Sequence, residues 1–139
     1  MAGYSATPLV KKLGIKPGFN LAFVNAPPGF LQELKLPSEV TINSRSQKPL
    51  DFVLLFVRGE AELKKSFSRY ADRLKPAGML WVAWPKKSSA MATELSFINV
   101  QAIGLAAGLV DTKICAVDEI WSGLKFVFRL KCRAKLERA

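Results

Sequence analysis

The sequence predicts an α/β fold with a mostly parallel sheet that ends in an antiparallel hairpin. Short apolar runs alternate with amphipathic helical segments, which is typical of parallel strands joined by right-handed crossovers. Two consecutive strand-like segments then close the chain. Its 139 residues, 50% of them hydrophobic, suit one domain over 1–139 that buries a core without a metal or disulfide. Within it we expect an N-terminal arm over 1–15 and a basic tail over 134–139.

The first half of the chain predicts three strands and one short helix. An apolar run at 21–24 ends in a turn at 25–29, as a buried strand does. A short helix is expected over 30–36 and a short strand over 40–42. After its first residue, the segment 51–57 is apolar on both faces, which is typical of a central parallel strand covered by helices on both sides.

The second half predicts two longer helices around a buried strand. Apolar residues recur every three or four positions over 60–74, and Lys75–Gly78 is expected to stop that helix. A strand follows over 79–84. The next helix is expected to run from Thr93 or Glu94 to Ala107, with Thr93 as its N-cap and Gly108 just after its end.

The last two strands are expected over 109–117 and 124–133, joined by a turn at 118–123. Hydrophobic and cationic residues alternate along the second of them, as in an antiparallel strand with one wet face. Folding about this turn places Cys115 near Phe126 and Cys132 near Leu109. The two cysteines are then not cross-strand partners, and we expect reduced thiols in a cytoplasmic protein.

The charge balance points to an anionic partner. The chain has 21 Lys and Arg against 11 Asp and Glu, a net charge of +10, and no histidine. The missing histidine excludes histidine-based nucleophilic and general-base catalysis and histidine metal ligands. The candidate anion-binding residues lie on one helix face and on one face of the last strand: Lys64, Lys65, Arg69, Arg73, Lys125, Arg129, Lys131 and Arg133. General solubility or an acidic protein partner explains them about as well as weak nucleic-acid binding does.

The beginning of the chain does not resemble a signal peptide, and no apolar run approaches the length of a membrane span. We therefore expect a cytoplasmic protein without a membrane partner. The oligomeric state is left open by the sequence.

The order of elements, with three short motifs, resembles the Rossmann-like core of S-adenosylmethionine-dependent methyltransferases. The motifs are Lys16-Pro17-Gly18, Leu50-Asp51-Phe52-Val53 and Arg73–Leu80. The resemblance implies this fold, with S-adenosylmethionine as a possible cofactor. The chain departs from it in the turn Asn25–Gly29, which has one glycine and two prolines, and in a segment Val40–Leu50 too short for a helix and a strand.

A further departure concerns the acidic residue that these methyltransferases place after their second strand to hold the ribose of the cofactor. The nearest residues here are Glu39, which precedes the predicted strand, and Asn43, which is not acidic.

Other segments resemble a family of small bacterial proteins described only as a domain of unknown function. They are Met1–Pro8, Lys11–Gly14, Trp81–Lys87 and Ala116–Val127. This second resemblance spans the chain and implies no particular activity.

Ligands of open α/β sheets bind beyond the carboxyl ends of the parallel strands. The candidate ligand-binding residues there are Asn25, Ala26, Gly29, Arg58, Gly59, Trp84, Lys86, Lys87 and Ser88. Asn25 could orient a polar group, Trp84 could stack on a ring, and the lysines could meet an anion. Alternatively, Trp84 packs at the edge of the core and the lysines are solvated. A second candidate group lies in the hairpin loop: Asp118, Trp121 and Ser122.

No acid/base constellation accompanies these residues, so the sequence assigns no catalytic residue and no metal ligand. We expect a non-enzymatic ligand- or partner-binding module on a shortened methyltransferase-like core. The alternatives are an S-adenosylmethionine-dependent methyltransferase and a nucleic-acid-binding protein.

Overall fold

The computed structural model describes residues 8–42 and 49–131. They form one six-stranded sheet in the order β2-β1-β3-β4-β6-β5. Its strands are β1 (Asn20–Val24), β2 (Thr41–Ile42), β3 (Leu50–Phe56), β4 (Leu74–Pro85), β5 (Leu109–Ala116) and β6 (Trp121–Phe128). Its helices are α1 (Leu9–Leu13), α2 (Phe30–Glu33), α3 (Glu60–Ala71) and α4 (Phe97–Ala106). None of these helices has the length and apolar character that crossing a membrane requires.

The sheet is mixed, as the sequence predicts. Strands β2, β1, β3 and β4 are parallel to one another, and Leu54 of β3 lies between Phe23 of β1 and Trp81 of β4. Strand β6 runs antiparallel to β4, and β5 antiparallel to β6. The predicted antiparallel hairpin therefore joins the parallel strands through its second strand.

Apolar side chains cover both faces of the sheet. On the first face, alternate residues of β3 and β4, such as Val53 and Val82, pack with α3 and α4. On the second face, Phe52 and Trp81 belong to a separate cluster that includes residues of α1 and α2. The indole Nε1 of Trp81 donates a buried hydrogen bond of 2.9 Å to the carbonyl oxygen of Leu13. Helix α1 is thus fixed to the sheet, although its residues lie in the segment predicted as an arm.

Strand β4 begins earlier than predicted, and α3 ends earlier. The helix stops at Ala71 instead of Leu74, and the expected stop at Lys75–Gly78 lies within β4. Leu50 pairs with Leu74, and the register between β3 and β4 then shifts before Phe52. The ion pair between Lys75 and Asp51, at 3.1 Å, also joins these two strands. Pairing with a distant strand thus extends β4 through a segment whose local sequence favours a turn.

Helix α4 begins at Phe97, and its N-cap is Ser96 instead of Thr93. The N–H of Ser96 donates to the side chain of Asn99 at 2.6 Å, as part of a capping box. Gly108 follows the end of this helix with a φ of +94°, as predicted.

The final hairpin has a shorter turn than predicted. Asp118 accepts the N–H groups of Ile120 and Trp121, both at 2.8 Å, and β6 already begins at Trp121. Cys115 therefore lies opposite Gly123, and the predicted pairing with Phe126 is wrong.

Strand β6 also ends early, at Phe128. The prediction that Arg129 and Lys131 extend a basic strand face is therefore wrong. Cys132 and Arg133 lie outside the described residues.

Candidate functional site at the carboxyl edge of the sheet

A cavity of about 260 Å³ opens where the parallel strands end. Its lining residues come from separate parts of the chain that meet at this edge: Asn25, Phe56, Arg58, Glu62 and Trp121. Because β6 is antiparallel to β4, the first residue of β6 reaches the same edge as the last residues of β4. Three of the predicted candidates, Asn25, Arg58 and Trp121, are thus brought together.

Arg58 supplies the positive charge of this cavity. Its guanidinium carbon lies 5.8 Å from the centre of the Trp121 ring, within the range of a cation–π interaction. Its backbone N–H donates to the Glu62 carboxylate at 3.1 Å. Arg58 is exposed, whereas Trp121 is only 2% exposed. A solvated cation therefore lies on a buried aromatic support.

Aromatic rings pack together beside the cavity. Phe56 meets the ring of Trp121 at 5.1 Å and the ring of Phe30 at 5.0 Å, both edge to face. Phe30 in turn lies 6.3 Å from Phe23. These four rings are packed in favourable geometry.

The turn after β1 contributes Asn25 to the cavity. Asn25 has a φ of +58°, a left-handed conformation that asparagine tolerates better than most residues. Pro27 and Pro28 follow and provide no N–H donors. The N–H of Phe30 donates to the carbonyl oxygen of Pro27 at 3.1 Å, which closes the turn.

The other two candidates of this turn do not line the cavity. Ala26 packs against the core on the second face of the sheet. Gly29 precedes α2 with a φ of +83°, a conformation that favours glycine.

The N-terminus of α3 is bound by a carboxylate from another part of the chain. The N–H of Glu60 donates to Glu94 at 3.1 Å. This hydrogen bond, with one from the backbone of Glu94 itself, lowers the pKa of the Glu94 carboxyl. Glu94 thereby fastens the connection between β4 and α4 to the beginning of α3.

Several other predicted candidates lie away from the cavity. Trp84 is 4% exposed and packs in the core with residues of α3 and α4, so it is not available for stacking. The backbone N–H of Lys86 donates to the carbonyl oxygen of Ile120 at 2.7 Å, which joins the end of β4 to the hairpin. Lys87 and Ser88 are exposed, and Gly59 is the residue that precedes α3.

The remaining hairpin candidates, Asp118 and Ser122, take part in the hydrogen bonding of the turn and the pairing of the sheet. Asp118 closes the turn through the two hydrogen bonds described above. Ser122 pairs with Trp84 across β4 and β6. Of the three loop candidates, Trp121 alone lines the cavity.

Phe56 and Glu62 line the cavity but were not among the predicted site residues. Alternation along β3 places Phe56 on the same face as Phe52, which could have marked it as part of the second face. Glu62 lies in the first turn of α3, four residues after Arg58, where acidic side chains commonly bind free N–H groups.

The predicted cationic residues of α3 differ in their contacts. Lys64 pairs with Glu60 at 3.3 Å. Arg69 and Arg73 both lie over the ring of Tyr70, at 5.9 and 5.5 Å, and Arg73 comes after the helix has ended. In the hairpin, Lys125 lies within β6 and is half-buried.

Several of the solved structures that share this fold are methyltransferases. A SAM-dependent methyltransferase from Aquifex aeolicus has a TM-score of 0.60 and 16% identity, with 85% of this chain and 86% of that chain covered. A TehB-like SAM-dependent methyltransferase from Corynebacterium glutamicum has a TM-score of 0.58 and 9% identity, with 92% and 91% covered. No family model and no curated protein matches the chain. The chain therefore has a Rossmann-like methyltransferase fold.

The described residues do not fit S-adenosylmethionine well. The turn after β1 offers no N–H groups at Pro27 and Pro28 to an approaching ligand. Glu39 lies before β2, at the opposite end from the cavity. Asn43 lies outside the described residues. The cavity lies at the edge of the sheet where ligands of open α/β folds bind.

Proposed function

We propose that the chain is a non-enzymatic binding module on a methyltransferase-like fold, which takes a small anionic ligand at the carboxyl edge of the sheet. The observation that carries this proposal is the position of Arg58 at the cavity, above the buried ring of Trp121. Guanidinium groups bind carboxylates and phosphates through paired hydrogen bonds.

The surroundings of Arg58 support a binding role. Within the described part of the chain its guanidinium forms no ion pair, and the neighbouring Glu62 accepts its backbone N–H instead. The ring of Phe56 packs edge to face against the ring of Trp121 and holds it in place. The cavity therefore presents the Arg58 guanidinium beside aromatic rings, with the Glu62 carboxylate held on a backbone N–H, and this guanidinium suits recognition of a small carboxylate or phosphate.

Calorimetric titration with inorganic phosphate and with succinate tests this proposal. We expect saturable binding in the millimolar range, weakened about tenfold or more by Arg58→Gln. The matched control is Arg69→Gln, since Arg69 also lies over an aromatic ring but is not part of the cavity lining. Binding that is equal in all three proteins, or absent, would overturn the proposal.

The second candidate function is a SAM-dependent methyltransferase. The structural neighbours favour it more directly than the first candidate, since several of them carry that name. Titration with S-adenosylmethionine and its demethylated product separates the two functions. If the titrations show saturable binding of both compounds and no binding of phosphate or succinate, they support the methyltransferase function and overturn the first proposal.

A further inference from the structure

Helix α4 has an apolar outer surface. Its ten residues, Phe97–Ala106, include no acidic or basic side chain. Ile98 is 75% exposed and Leu105 is 40% exposed. Apolar side chains grouped on an exposed surface often mark an interaction site, and they are unusual in a chain with 23% charged residues.

A groove of about 410 Å³ lies between α4 and α3. On the α4 side, Ala102, Ile103 and Ala106 line it, three and four residues apart on one helix face. Phe67 and Ser68 of α3 line the other side. The small alanine side chains allow another helix to approach closely.

Positive charge borders this groove on one side. Lys64 lines it and is 62% exposed, and Glu60, which also lines it, lies within 3.3 Å of the Lys64 ammonium group. Lys65 is exposed on the same helix, so this second cation beside the groove leaves its border with one net positive charge. A second copy of the chain would bring the same cations and another net charge of +10, which opposes self-association. An acidic partner has the complementary charge.

We propose that the groove between α3 and α4 docks an amphipathic, acidic helix of a protein partner. Apolar side chains of the partner, spaced three and four residues apart, pack on Ala102, Ile103 and Ala106. Its acidic side chains face Lys64 and Lys65. This surface is separate from the cavity at Arg58 and does not depend on the function proposed there.

A displayed library of helical peptides tests the proposal. Each peptide carries leucines at i, i+3, i+4 and i+7, with flanking positions drawn from glutamate, glutamine and lysine. Selection against the full chain should enrich glutamate. A selected peptide should bind about tenfold or more weakly to Ala102→Glu and to Ala106→Glu. Ala90→Glu, an exposed turn site outside the groove lining with the same change of charge, should leave binding unchanged.

Five results would overturn the proposal. Three come from the peptide experiments. The selection could enrich no binder or could enrich lysine, and a selected peptide could bind Ala102→Glu as tightly as the unchanged chain. A fourth is a dimer in sedimentation that Ala102→Glu dissociates, which would assign the groove to a second copy. The fifth is binding of the chain to phosphatidylglycerol vesicles that Ala102→Glu abolishes, which would assign the groove to a lipid surface.

Discussion

The guanidinium of Arg58 lies over the ring of Trp121, with its carbon 5.8 Å from the ring centre. Arg58 follows the end of β3 and Trp121 begins β6, two strands that are separated in the sheet by β4. Their contact therefore spans the end of β4 and closes the carboxyl edge of the sheet.

Removing the ring of Trp121 should destabilise the fold. Trp121→Ala deletes a buried ring that contacts both Phe56 and Arg58, and we expect a loss of about 3–5 kcal/mol in the free energy of unfolding. Urea denaturation measures it. Ile120→Ala, at the exposed neighbouring position, should cost about 1 kcal/mol or less. Equal effects at both positions would contradict this account.

Gly104 should not tolerate a side chain. A Cβ there would collide with the ring of Phe126, so Gly104→Ala should cost about 1–3 kcal/mol in unfolding free energy. The control, Gly59→Ala, has its nearest neighbour at 3.8 Å and should cost less than about 1 kcal/mol. In a double-mutant cycle, Phe126→Leu should relieve part of the cost of Gly104→Ala. Additive effects would argue against the collision.

Glu94 should make stability depend on pH. Its folded-state pKa is lowered by the hydrogen bond from Glu60, so its contribution is present above the unfolded-state pKa and is lost as pH falls through the lower folded-state value. Glu94→Gln should therefore destabilise the protein more at neutral pH than in acid. Urea denaturation at both pH values measures this. Glu119→Gln, at an exposed turn position, serves as the control; an equal pH dependence in it would count against the role of Glu94.

Cys115 should react slowly with iodoacetamide in the folded protein. Burial raises the pKa of its thiol, against the opposing effect of Lys113 and Lys12, so less of the reactive thiolate is present at neutral pH. The measurement uses Cys132→Ser, which leaves one thiol. Its alkylation rate should rise when urea unfolds the chain. A rate already equal to that of the unfolded chain would contradict the prediction.

The parts of the fold that depend on local apolar patterns were predictable from the sequence. Strand β3 was recognised because both of its faces are apolar, and α3 because Leu63, Phe67 and Tyr70 recur at helical spacing. Their ends were less well predicted. Pairing of Leu74 with Leu50 converts an apparent stop into strand, and the side chain of Asp118 shortens the hairpin turn.

The sequence predicted the edge of the sheet at which the cavity lies, together with three of the residues that line it. The rule that ligands bind at the carboxyl ends of parallel strands located Asn25 and Arg58. The tertiary structure decided which aromatic residue lies beside Asn25 and Arg58. Side-chain alternation along β4 directs Trp84 into the core on the first face of the sheet, whereas the hairpin brings Trp121 to the cavity. Local sequence patterns report which residues are buried, whereas the register between distant strands determines which of them meet.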